Sequence, residues 1–209
     1  ALGSAKYQKA LELIDNIMRE DETGKVVIFS QYLGVLDDLQ TLLATYRGGR
    51  YAQAWVEIRG GESPQKLAAD LALFQQDQNK RILIATYGTG GQSLNLQAAH
   101  QMILMDMLWT YQEFCQAIDR IHRIGQLRPV TIHRLIAQDT IDEHIIRIVG
   151  AGEYLHKLII SAEITDGDGF GQDEESLMGE LMKELGLPQT VSGKAQHEFI
   201  GRKNGRGSL

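Results

Sequence analysis

The sequence predicts an α/β fold, a mainly parallel sheet flanked by helices, followed by a helical and flexible C-terminal extension. Two observations predict it. Short apolar runs (VVIFS, RILIAT, QMILMD, TIHRLIA) alternate along the chain with longer stretches whose apolar residues recur at helical spacing (LGVLDDLQTLLATY, SPQKLAADLALFQQ, TYQEFCQAIDRIHRI, DTIDEHIIRIV). Continuous apolar runs suit strands buried on both faces, and strands separated by helices are connected as parallel βαβ units.

Each element has its own signal. ALGS has the look of a cloning remnant and is set aside, and KYQKALELIDNIMRE places Leu11, Ile14, Ile17 and Met18 on one face of an opening helix, giving a first segment of residues 1–23. The sheet-and-helix domain is expected over 24–149. AQAWVEIRG is its weakest strand candidate. Ser63 before Pro64 predicts a helix start, and Asp139 or Thr140 can cap the helix carrying Glu143. A trailing helix is expected over 150–164. Residues 165–209 are expected to form an acidic linker (TDGDGFGQDEES), a short amphipathic helix (SLMGELMKELGL) and a polar tail.

Composition narrows the classes. With 209 residues and 43% hydrophobic content the chain can bury a substantial core. No apolar run reaches ~18 residues, so a soluble, intracellular protein without membrane contact is expected. The single cysteine, Cys115, has no partner and no metal-type spacing around it, and is expected in the core. Net charge is −6, but −4 of it lies from Glu163 onward, while Thr110 to Arg134 holds four arginines against Glu113 and Asp119. For a phosphate-binding surface the local clustering of cations matters more than the total.

In an open parallel sheet, ligands meet the loops at the carboxyl ends of strands. Three such loops carry unusual chemistry. Ser30-Gln31-Tyr32 offers a hydroxyl and an amide, or alternatively a helix cap. TYGTGGQSLNL combines Gly88, Gly90 and Gly91 with the hydroxyls of Thr86, Thr89 and Ser93; it can form an anion-binding concavity or simply a tight turn. It lacks the GxxxxGK[ST] spacing of a Walker loop. The third, MDMLWTYQEFCQAIDRIHRIGQ, puts Trp109 at a strand-to-helix corner and then Gln116, Arg120 and Arg123 at spacings that share a helix face. Guanidinium groups suit phosphate oxygens, so this face is either a phosphate clamp or a solvated charged surface with Asp119 paired to Arg123.

The combination decides between these alternatives. VVIFSQY, IRGGES, ILIATYGTGGQSLNLQAAHQMILMD, QAIDRIHRIGQ and VTIHRLIAQDTIDEHI, in this order, resemble the motifs of the C-terminal helicase lobe, the second RecA-like domain, of Swi/Snf-type ATP-dependent DNA translocases of helicase superfamily 2. The resemblance covers residues 25 to 150 approximately. It departs from the family pattern at Thr89 and Ser93, at Trp-Thr-Tyr in place of Trp-Asn-Pro, and at Arg59, where an aspartate is common.

The resemblance implies a half-enzyme. ATP and magnesium would be held mainly by a first lobe whose Walker lysine and DExH pair are not found in this sequence. This lobe would supply Arg123 as an arginine finger, Arg120 as its companion and Gln116 as an ordering group. Ser30, Gln31, Gly60, Thr86, Gly90, Gly91 and Trp109 would line a track for double-stranded, nucleosomal DNA. The resemblance further implies a nuclear protein of chromatin remodelling or DNA repair, inactive as an isolated lobe and open to protein partners through its C-terminal extension. An ATPase-dead lobe kept as a regulatory or DNA-binding scaffold is the alternative, and RIGQ and the LNL block speak against an RNA helicase.

Overall fold

A computed structural model describes residues 4–88 and 94–164 of the chain. Five strands, β1 (Val26–Ser30), β2 (Trp55–Ile58), β3 (Ile82–Thr86), β4 (Gln101–Leu104) and β5 (Thr131–Arg134), form one sheet in the order β2-β3-β1-β4-β5. Every pairing is parallel. The α/β architecture expected from the alternation is therefore present, and the weak strand candidate is β2, on the edge of the sheet.

The central strands are apolar throughout because both their faces are covered. All five residues of β1 and of β3 are buried. Val26 and Ile28 turn with Ile82 and Ile84 towards α1 (Ala5–Glu20) and α2 (Leu33–Thr45), meeting Ile14, Leu36, Leu39 and Leu43. Val27 and Phe29 turn the opposite way with Leu83 and Ala85, meeting Phe74 of α3 (Pro64–Gln76) and Ile121. Alternation of side chains along a strand thus supplies two cores from one run. Fully burying a ring such as that of Phe29 contributes about 1.5–3 kcal/mol.

Helix ends are set locally. Ser63 accepts the Lys66 N–H at 3.3 Å and Pro64 occupies the first turn of α3, as its sequence predicts. The far end of α3 is held by Lys25, whose buried ammonium donates to the carbonyls of Phe74, Asp77 (2.8 Å) and Lys80 (3.2 Å). A cation on a helix's last carbonyls offsets their partial negative charge. Burial lowers the Lys25 pKa.

Two expectations need correction. The helix that starts after Thr140 and the trailing helix expected over 150–164 are not two elements but one, α5, over Ile141–Ile164. Gly150 and Gly152 lie inside it; a Cβ at Gly152 would stand 2.9 Å from Cβ of Tyr111, so glycine there permits a close approach to α4 (Tyr111–Ile118). Cys115, on α4, is half-buried rather than in the core. The expected acidic linker, short helix and tail at 165–209 lie outside the described residues.

Two histidines link this fold to pH. Burial, with the nearby Arg128 charge, lowers the pKa of His100, and burial lowers that of His133. For a base depressed in the folded state, stability is fully present above the ordinary value, about 6.5, and falls as pH drops below it, because the unfolded chain takes up the proton first. The urea midpoint should therefore fall between pH 7 and pH 5, and His100→Gln should make that fall shallower. An unchanged slope in the variant would remove His100 from the account.

Candidate phosphate and nucleic-acid site

The carboxyl edge of the sheet gathers the loops that follow the strands. After β1, Ser30 is fully buried, and its hydroxyl donates to the Asp106 carboxylate and accepts the Tyr32 N–H at 3.1 Å. Ser30 therefore neither caps α2, whose N-cap position is Tyr32, nor reaches the surface. Gln31 donates its backbone N–H to Asp106 at 2.9 Å and its side-chain amide to the Met107 carbonyl at 2.7 Å. After β3, Thr86 is buried, and Gly60 is exposed close by, with the position of its missing Cβ 3.9 Å from Thr86 Oγ1 and 4.0 Å from the Gly88 carbonyl. Trp109 stands at the corner after β4, 49% exposed, beside Tyr32 and Asp106 at a cavity of about 300 Å³. Gly90 and Gly91 lie outside the described residues.

Asp106 organises this edge although no motif singled it out. Burial raises its pKa, against the hydrogen bonds of Ser30 and Gln31, which favour its charged form. Its backbone carbonyl also accepts the Tyr87 hydroxyl at 2.9 Å. The Tyr87 ring stacks on Phe29 with centroids 5.3 Å apart. Arg59, at the position where the resemblance leads one to expect an aspartate, ion-pairs with Glu57 and Asp37.

The arginine segment differs from the sequence expectation. Thr110 begins α4 with a reciprocal capping box to Glu113, but the helix ends at Ile118. Gln116 is thus helical, whereas Arg120 and Arg123 lie in the turn that follows, so the three do not share one helix face. The reason is tertiary. Ile121 is drawn into the core, the Arg120 carbonyl accepts the Leu96 N–H at 2.9 Å, and Gln126 donates to the carbonyls of Gln97 (3.1 Å) and Ala99 (2.8 Å). Gly125, at φ +100°, lets the chain leave the turn in a conformation that other residues avoid.

Gln116 and Arg120 still meet in space. Both line a cavity of about 280 Å³ with Tyr87, Gly88, Leu108, Glu113 and Ala117. Arg120 is half-buried, donates Nη2 to the Tyr87 carbonyl at 3.0 Å and lies 5.7 Å over the Phe29 ring. Its Nη1 is buried with no hydrogen-bond partner among the described residues, and burial lowers its pKa. Among the described residues no carboxylate forms an ion pair with it. A desolvated guanidinium with an unmet donor fits an incoming anionic oxygen, such as that of a nucleotide phosphate. Arg123 is exposed. The other two arginines of the cluster are engaged elsewhere: Arg128 pairs with Asp21 and Arg134 covers the Phe114 ring. No group of three or more His, Cys, Asp or Glu side chains that could hold a metal ion is present among the described residues.

Comparison with known proteins gives consistent results. The model of the family described as helicase conserved C-terminal domain matches residues 5–125. The DNA repair protein rad8 of Schizosaccharomyces pombe is 35% identical over 147 residues, 70% of this chain and 12% of the relative. The DNA repair protein RAD5 of Cryptococcus neoformans is 31% identical over 90% of this chain and 15% of its own length. Among solved structures, the C-terminal part of the Fun30 ATPase domain superposes with a TM-score of 0.65 at 24% identity, covering 88% of this chain and 53% of that one. The Sulfolobus solfataricus SWI2/SNF2 ATPase core in complex with dsDNA gives 0.60 at 24% identity, covering 88% and 36%. These two likenesses show the RecA-like fold. The chain spans about an eighth to a sixth of the length of the first curated relatives it matches.

The turn that carries Arg120 depends on Gln126. Gln126→Ala strands two carbonyls and should destabilise the protein by about 1–2 kcal/mol in urea unfolding, with faster hydrogen exchange at the Leu96 amide. Unchanged stability and exchange would show that the turn is held by other contacts.

Proposed function

We propose that this chain, which belongs to the helicase conserved C-terminal domain family, is the second motor lobe of a Swi2/Snf2-type ATP-dependent translocase on double-stranded DNA. In this role the lobe closes on ATP and magnesium held by a first lobe. Arg123 acts as arginine finger and Arg120 as its companion, stabilising the charge that develops on the γ-phosphate, with Gln116 ordering the same cavity. The observation that carries the reading is the half-buried Arg120 guanidinium, which has a carbonyl and a ring for support and, among the described residues, no carboxylate and one buried donor unmet.

DNA backbone would lie along the loops at the carboxyl edge. Among the described residues, Gln31, Gly60 and Trp109 are the accessible members of the expected track, to which Gly90 and Gly91 also belong. Ser30 and Thr86, being buried, would shape the loops from beneath. Contacts of this kind read phosphates and not base edges, so binding should be independent of sequence and weaken with salt. The similarity to the Sulfolobus solfataricus SWI2/SNF2 ATPase core, solved in complex with dsDNA, supports this choice of polymer. DNA repair and chromatin remodelling appear in the names of the relatives, which supports the reading of a nuclear role on nucleosomal DNA.

Alone, the lobe should not hydrolyse ATP appreciably. In the full-length protein, duplex DNA should stimulate ATP hydrolysis, and Arg123→Ala should reduce turnover on the order of 10³-fold while DNA binding survives. DNA binding without ATPase activity in the unmutated protein would instead identify a scaffold, and equal turnover in the variant would remove Arg123 from the phosphate site.

A further inference from the structure

The edge of the sheet opposite this site carries a second cationic surface. Arg19 closes α1, and Arg47 and Arg50 sit in the loop between α2 and β2, so all three lie at the amino end of the parallel strands. They converge on one carboxylate. The Asp15 side chain is 1% exposed, whereas those of Arg19, Arg47 and Arg50 are 52%, 49% and 48% exposed. Arg47 Nη2 approaches Asp15 to 3.1 Å and Arg50 Nη1 to 3.6 Å, Arg19 bridges it from one helical turn later, and the Tyr51 hydroxyl donates to it at 2.7 Å. Burial alone would raise the Asp15 pKa; the hydrogen bonds of Tyr51 and Arg19 and the charges of Arg19 and Arg47 hold it below the ordinary value.

One guanidinium neutralises one carboxylate, and Arg19, at i+4, already does so. Among the described residues Asp15 is the only carboxylate paired with any of the three, which leaves two positive charges in surplus. The loop is shaped to present them. Its sequence is YRGGRY, and Arg47, Gly48 and Gly49 have φ of 49°, 72° and 86°, three successive residues in the left-handed region that a non-glycine residue occupies at a cost. This turn brings Tyr46 and Tyr51 into a stack with centroids 6.2 Å apart and lays Arg47 and Arg50 over them, 5.5 and 5.7 Å from the rings. Two guanidiniums are thus fixed side by side on an aromatic platform, and each carries more N–H donors than its single contact with Asp15 uses.

We propose that Arg47 and Arg50, backed by Arg19, form a second, sequence-independent contact for the phosphate backbone of duplex DNA, on a segment of DNA distinct from the one at the carboxyl edge. The proposal rests on the DNA-translocase reading above. The five residues of β1 alone separate the two edges by roughly 17 Å, and a duplex with a persistence length of about 150 bp does not fold around so small a body. Arginine side chains match phosphate oxygens in geometry and stay charged at any physiological pH. An acidic protein segment fits less well, because protein interfaces add apolar anchors and none of the exposed large hydrophobic residues lies in this loop.

The test counts duplexes. With the full-length protein and rigid duplexes of about 20 bp, analytical ultracentrifugation at low salt should find two duplexes bound per protein, the second weaker. Arg47→Gln with Arg50→Gln keeps the Arg19–Asp15 pair and the fold, which a thermal melt verifies. This variant should bind one duplex and keep its DNA-stimulated ATPase, and the salt slope of the second binding step, about −0.9 per phosphate contact, should disappear with that step. The charge-retaining Arg47→Lys with Arg50→Lys should keep most of the second binding. One duplex on the unmutated protein, or two on the glutamine variant, overturns the proposal; so does a poly-glutamate peptide that binds only when Arg47 and Arg50 are present while no second duplex does. No DNA binding at all, with or without ATPase activity, would be a failure of the translocase reading and not of this surface alone.

Discussion

Among the described residues no carboxylate pairs with the half-buried Arg120, so its guanidinium is held by neutral groups, and much of the carboxyl edge is arranged around holding it. Its support is the Tyr87 carbonyl and the Phe29 ring. Tyr87 stacks on Phe29 and passes its hydroxyl to the Asp106 carbonyl, and Asp106 in turn receives Ser30 and the Gln31 backbone. The arginine cavity and the loop bearing Gln31 are therefore tied by one continuous set of contacts across β3, β1 and β4. In the proposed motor this continuity is what lets a phosphate and a DNA strand be sensed by a single rigid edge. An ion-paired Arg120 would be more stable in isolation and less available to an incoming phosphate, since a carboxylate in its place would have to be displaced first.

The fold was largely legible because strand burial on both faces leaves a plain record: VVIFS and ILIAT are apolar throughout and every residue in them is buried. The start of α3 was equally plain, because Ser63 and Pro64 act within one turn of chain. Ends determined by distant contacts were not legible. Nothing local stops α4 at Ile118; the periodicity runs on to Arg123, and it is Ile121, Leu96 and Gln126 that unwind it. Conversely, the two helical stretches expected on either side of Val149 are one helix, α5, which passes Tyr111 at Gly152.

The site shows the same division. Residue types suited to phosphate were visible in the motif, and Gln116 and Arg120 do line one cavity. The burial of Ser30 and Thr86 was not visible, because a hydroxyl at a strand end reads the same whether it faces solvent or a buried carboxylate. Asp106 escaped notice for the same reason, its partners lying 75 and 76 residues away in sequence. The YRGGRY turn carries no recognisable motif, and its meaning emerges only when α1 supplies Asp15 beneath it. The lobe then has two cationic edges of different construction: a desolvated arginine at a cavity, suited to one phosphate group, and solvent-facing arginines on a platform, suited to a polymer.

A crystal structure of the two-lobed protein with ADP and beryllium fluoride standing in for the γ-phosphate tests the arginine site directly. Arg120 Nη1 should lie within hydrogen-bond distance of a fluoride, with Nη2 still on the Tyr87 carbonyl and Arg123 on the same group. A closed complex in which both arginines point away from the fluoride, or in which Arg120 has left Tyr87 for a carboxylate, would contradict it.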